Sequence, residues 1–151
     1  RVIDYKYRAN SRIEAKDRNL LQAAIRAHRL QPALYALMTL AEPLDGARHA
    51  LPERVEFVYL LPQGEPAVDR ASFDSSAWQG PSGPLLSRAV QTLLNGIREG
   101  RHFIVPDETH CSHCDYSALC RRTHQPTWWR AYRAAAAKEL REIRSQKVAR
   151  D

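Results

Sequence analysis

The sequence is most informative first in what it lacks. No run of apolar residues approaches the roughly 20 that a helix needs to span a bilayer. No basic segment followed by an apolar stretch and a small-residue cleavage site is visible at the start of this sequence. It has three cysteines, an odd number, which argues against a self-contained disulfide framework. All three fall between positions 111 and 120, the spacing of metal ligands, and the expected compartment is reducing and cytoplasmic. There is no internal repeat, and the Ala134–Ala137 run is the only simple stretch. What is present is enough for one domain: 151 residues, 44% apolar, with a net charge of +6 that suits an anionic partner.

The chain opens on "RVIDYKYR", without an initiator Met, loop or cap, and reads as a strand entered part-way through a longer domain. Val2, Asp4 and Lys6 lie on one side of it and Ile3, Tyr5 and Tyr7 on the other. A polar segment follows, with Asp17 as a candidate helix cap, and then helical spacing at Leu20, Leu21, Ala24 and Ile25. Pro32 suits the first turn of a second helix whose buried stripe would be Leu34, Leu37, Met38 and Ala41. "ERVEFVYL" reads as a strand with Val55, Phe57 and Tyr59 alternating against Glu56 and Val58. "AVDRASF" suits a further short strand and "QGPSGP" a loop. Leu86, Val90, Leu93, Leu94 and Ile97 predict a helix from Leu85 that Gly100 ends. After Pro126 one continuous last helix is expected, with a stripe of Trp128, Tyr132, Ala136, Leu140 and Ile143.

Three groups of residues carry chemistry. On a strand Asp4 and Lys6 share a face, about 6–7 Å apart along the chain. A carboxylate there can hold a divalent cation, and a lysine beside it can orient or help deprotonate the attacking water and balance charge on a phosphate. Gln31 and Tyr35 stand one helical turn apart, on one face, where they can steady that lysine or hold a phosphate oxygen. Cys111, Cys114 and Cys120, in "CSHCDYSALC", have the spacing of a thiolate site for zinc or an iron–sulfur cluster. A closed site wants four ligands. The fourth is either a nearby histidine (His110, His113 or His124) or a cysteine before residue 1.

In that order, "VIDYK", "QPALY" and "CSHCDYSALC" resemble the PD-(D/E)XK nuclease superfamily in its RecB/AddB-like branch, over residues 2–121. The resemblance implies an α/β fold, here an incomplete restriction-endonuclease-like core: a mixed sheet of about three strands flanked by helices, with a helix-rich C-terminal half. It implies that Asp4 ligates Mg2+ or Mn2+, that Lys6 is the catalytic lysine, and that Gln31 and Tyr35 are the Q-x3-Y pair. It also implies that Cys111, Cys114 and Cys120 are three ligands of a four-iron four-sulfur cluster. The other metal-binding acids and the fourth cysteine would precede Arg1. The domain division expected is 1–125 for the C-terminal part of the nuclease domain and 126–151 for a basic amphipathic helix.

The function expected is metal-dependent exonucleolytic cleavage of DNA in recombination and repair, with a helicase subunit or domain as partner and this stretch inactive by itself. The alternatives are a non-enzymatic zinc or iron–sulfur module that binds nucleic acid, and a nuclease-fold subunit without activity. Arg130, Arg133, Arg141 and Arg144 recur at helical spacing, which suits either a ridge tracking DNA phosphates or a solvated face. Trp128 and Trp129 suit stacking on unpaired bases, with at least one of them expected in the core. A sheet edge left exposed by truncation would be covered by another chain or by rearrangement.

Overall fold

A strand puts alternate residues on opposite faces, and which face is covered decides what its polar residues do. The computed structural model describes residues 1–7, 19–41, 50–62, 66–101, 115–116, 119–120 and 124–148. Strand β1 (Val2–Tyr7) pairs in parallel with β2 (Arg54–Leu60), and β2 pairs antiparallel with β3 (Val68–Asp74), giving the order β1-β2-β3. A parallel pair cannot be joined by a tight turn. Helices α1 (Leu20–Ile25) and α2 (Gln31–Ala41) lie in the crossover between β1 and β2.

The register sets Asp4 opposite Phe57 and Lys6 opposite Tyr59, and it sets Phe57 opposite Ala71 and Val55 opposite Phe73. Val55, Phe57, Tyr59, Ala71 and Phe73 are buried on this face and join Leu20, Ala24, Ile25, Ala33, Ala36 and Leu86 in one core. Each large side chain buried there contributes roughly 1.5–3 kcal/mol. The expected alternation in β2 is replaced by continuous burial from Val55 to Tyr59, as befits a central strand covered on both faces. Glu56 is buried with them and meets Arg1 Nη2 at 2.7 Å and Arg70 Nη1 at 3.8 Å.

Helix α2 corrects the expected stripe. Its buried residues are Pro32, Ala33 and Ala36, while Leu34 and Met38 are exposed. The sheet face already carries the rings of Phe57, Tyr59 and Phe73, so the helix meets it through small residues. Trp78 Nε1 ties down the same helix by donating to the Ala33 carbonyl at 3.2 Å. Pro32 occupies its first turn, as expected. Helix α1 is capped by Asn19, whose side chain accepts from Gln22 N at 2.9 Å; the proposed cap Asp17 lies outside the described residues. The helix ends at Ile25 with Arg26 as its cap, and Ala27 just beyond adopts φ of 54°. The C-terminal segment returns to α1, where Gln22 Nε2 and Arg26 Nε both donate to the Gln146 carbonyl, at 3.0 and 2.8 Å.

After β3, Asp74 caps a 3-10 turn (Ser75–Trp78) and accepts from Ser76 N at 2.9 Å. That backbone bond and the Ser76 hydroxyl, with Arg54 nearby, hold the Asp74 carboxyl below its usual range against a small opposing effect of burial. Helix α3 (Gly83–Arg98) starts inside the segment expected to be a loop, with Pro84 in its first turn, and Gly100 follows it at φ of 65°.

The described residues form two compact units, 1–90 with 143–151, and 91–142. The expected last helix is broken. Helix α4 (Gln125–Arg133) ends at Ala134, which turns extended at φ −52° and ψ 136°. A 3-10 turn (Ala135–Ala137) and helix α5 (Lys138–Ser145) follow. The Arg141 guanidinium occupies the carbonyls of Tyr132 and Ala134 that a continuous helix would bond internally. The break shifts the phase, so Ala137, Leu140 and Ile143 are buried and Ala136 is exposed.

Candidate active site

On β1 the charged residues face inward and the aromatic ones outward. The side chains of Asp4 and Lys6 are 19% and 30% exposed, whereas Tyr5 and Tyr7 are 65% and 74% exposed. Half-burying an ion pair on a strand that could have presented Ile3 and its tyrosines instead runs against hydrophobic sorting. It needs compensation by partners.

Those partners form a chain of contacts. Lys6 Nζ lies 2.8 Å from Asp4 Oδ2 and donates to Gln31 Oε1 at 2.8 Å. Gln31 Nε2 donates to the Tyr35 hydroxyl at 2.5 Å. The Phe57 ring lies beneath the ammonium, its centroid 4.8 Å from Nζ. Gln31 opens α2 and Tyr35 follows one turn later, which is why one amide reaches both the lysine and the phenol. Tyr35, by accepting, keeps its own O–H to donate elsewhere.

Asp4 Oδ2 is buried. It approaches Lys6 as an ion pair, yet no aligned hydrogen bond reaches it among the described residues. A shielded carboxylate oxygen with unused lone pairs is the donor that a hard divalent cation takes. Asp4 therefore fits as one ligand of such a cation. Among the described residues no group of three or more His, Cys, Asp and Glu side chains completes a metal site.

Three further residues adjoin these, and none of them was expected at the site from the sequence. Phe57 and Tyr59 flank the lysine from β2, and Arg29 Nη1 donates to the Tyr59 hydroxyl at 2.9 Å, pinning the turn just before Gln31. The signal that finds them is strand register, which places Tyr59 beside Lys6 and is not written in either strand alone.

A sequence model of the PD-(D/E)XK nuclease superfamily matches residues 1–121. The chain belongs to this superfamily. No curated protein and no solved structure gives a significant match. The mixed three-stranded sheet flanked by helices is an α/β arrangement of the superfamily's restriction-endonuclease-like kind. Nucleases of the superfamily generally use a divalent metal such as Mg2+, and Asp4 is the described residue suited to it.

Cys111, Cys114, His110 and His113 lie outside the described residues; Cys120 is a half-buried free thiol. His124 engages the Thr127 hydroxyl through Nδ1 at 2.8 Å. The single helix expected to carry the four arginines is broken at Ala134. Arg130 bonds its own helix at the Pro126 carbonyl, Arg133 lies over Trp129, Arg141 reaches back to α4, and Arg144 is half-buried. Neither Trp128 nor Trp129 is buried, contrary to expectation. No described helix is long and apolar enough to cross a membrane.

Proposed function

We propose that the chain supplies the Asp–Lys part of the catalytic site of a RecB/AddB-type DNA exonuclease that acts in recombination and repair in the cytoplasm. The observation that carries this is the inward-held Lys6, fixed between Asp4 and Gln31 rather than left on a solvated strand face. In this reading the Lys6 ammonium orients the water that attacks the phosphodiester and offsets the negative charge that builds on the phosphate. Gln31 holds Lys6 in that position, and the Tyr35 hydroxyl donates to a phosphate oxygen of the DNA backbone. The Mg2+ or Mn2+ that Asp4 would help to hold supplies Lewis-acid stabilisation of the same charge.

In the full-length polypeptide, Lys6→Ala should abolish Mg2+-dependent release of nucleotides from linear DNA while leaving DNA binding in place. Full residual cleavage would overturn the role given to Lys6. The 151 residues alone are expected to cleave nothing, because Asp4 is the one carboxylate that the described residues set against Lys6. Cleavage by the purified chain that is lost in Asp4→Asn would refute that expectation.

Cys111, Cys114 and Cys120 are proposed to hold a four-iron four-sulfur cluster together with a further cysteine, as a cross-link that ties the chain's C-terminal part to the core. Their order after the D-x-K and Q-x3-Y motifs supports it. Elemental analysis separates the readings. Iron with sulfide in the full-length protein supports the cluster. Stoichiometric zinc with a histidine ligand, and no cleavage, supports a non-enzymatic nucleic-acid-binding module. A helicase subunit or domain is the proposed partner. The outer edge of β1, which has a described strand on one side only, is the edge through which another chain would pair.

A further inference from the structure

Helix α4 is unusual in what it leaves uncovered. Its nine residues include Trp128, Trp129 and Tyr132, together with Arg130 and Arg133, and no acid. None of the nine is buried; Trp129 is 45% and Tyr132 41% exposed. Large aromatic side chains are normally buried in a core, and an exposed cluster of them marks a contact surface.

The rings are nevertheless ordered by one another. Trp128 and Tyr132 stack at 5.2 Å with planes 3° apart. Trp129 stands edge-on to both, at 4.8 and 6.4 Å. The Arg133 guanidinium lies 4.6 Å over the Trp129 ring, and that of Arg141 lies 5.4 Å from the Tyr132 centroid. Ring contacts at residue spacings of one, three and four thus come from within the helix itself. A surface organised in this way loses little conformational entropy when something stacks on it.

We propose that this face of α4 is a docking ledge for single-stranded DNA, with bases stacked on the exposed aromatic faces and phosphates held by Arg130 and Arg133. Three features select this occupant. Unpaired bases offer π-faces that a duplex hides. Two arginines without an opposing acid on the helix favour a polyanion over an apolar peptide. The Arg130 Nε is held by the Pro126 carbonyl at 3.3 Å, which sets its guanidinium at the helix surface. The choice of DNA over RNA rests on the nuclease reading above. The ledge itself belongs to the unit 91–142 and uses none of the Asp4–Lys6 site.

The test measures fluorescence anisotropy of a labelled oligothymidine with the purified chain, in EDTA and at low salt, so that no cleavage is required. Trp129→Ala with Tyr132→Ala should weaken binding by roughly 5- to 100-fold, with unchanged far-UV circular dichroism. Trp129→Phe, which keeps a ring, should bind nearly as the parent does. Arg130→Gln with Arg133→Gln should flatten the dependence of affinity on salt. An abasic oligomer of the same length and a blunt duplex should both bind more weakly than oligothymidine. Equal binding of the abasic strand, or undiminished binding by the double alanine variant, overturns the ledge. So does an acidic, aromatic peptide that binds this face while oligothymidine does not. Failure here leaves the Lys6 cleavage test standing, and failure there leaves the binding measured here unaffected.

Discussion

Replacing Gln31 by alanine removes the amide that accepts from Lys6 Nζ at 2.8 Å and donates to the Tyr35 hydroxyl at 2.5 Å. A hydrogen bond to a charged group is worth about 1.5–3 kcal/mol net, and one between neutral groups about 0.5–1.5 kcal/mol. Both are only partly buried here, and solvent can reach the lysine in the variant, so the loss is reduced to about 1–2 kcal/mol. Lys6→Met removes more, since the Asp4 ion pair and the contact over Phe57 go as well. The term shared by the two single variants is the Lys6–Gln31 bond alone. Their double-mutant cycle should therefore show a coupling of about 1 kcal/mol. Urea unfolding followed by far-UV circular dichroism at pH 7 measures all four proteins. Additivity within about 0.3 kcal/mol, the scatter expected of independent sites, would show that Gln31 does not hold Lys6 in solution. The mechanism would then lose its positioning residue.

Ala27 sits at φ of 54°, where only glycine is unstrained, so Ala27→Gly should stabilise the chain by about 0.5–1 kcal/mol and raise its thermal midpoint. Gly83→Ala should do the opposite: a Cβ there would stand 2.4 Å from the Trp78 carbonyl oxygen, and the first turn of α3 must shift to admit it, which a fall in the urea midpoint would register. Asp74→Ala removes the cap of the 3-10 turn and should cost about 0.5–1 kcal/mol at pH 7. Because the folded Asp74 carboxyl lies below its usual value, its contribution is complete above about pH 4 and disappears as pH falls through the lower folded value. The gap between parent and variant should therefore narrow in acid, and a gap constant from pH 7 to pH 2 would refute the assignment.

Local pattern was enough to read several elements. The alternation of Val2–Tyr7, the β-branched and aromatic run at 54–60, and the three- and four-residue apolar steps after Leu85 all became the elements they suggested. Where pattern misled, a neighbour decided the outcome. Leu34 and Met38 satisfy helical periodicity but yield the sheet-facing side of α2 to Ala33 and Ala36, because large rings already occupy the opposing face. The unbroken run from Pro126 to Lys147 has no helix breaker, yet it breaks at Ala134, where Arg141 captures the carbonyls that end α4.

The sequence by itself determined which residues can do chemistry: a carboxylate and an ammonium two positions apart on a strand, and an amide and a phenol one turn apart on a helix. Each spacing is a property of local backbone geometry, so each is legible locally. That Asp4 and Lys6 turn toward the core rather than toward solvent was decided only by tertiary structure. So were the closure of Lys6 onto Gln31 across 25 residues and the approach of Phe57 and Tyr59 alongside it. The physical reason is that a strand has two equivalent faces until a partner strand and a crossover helix cover one of them.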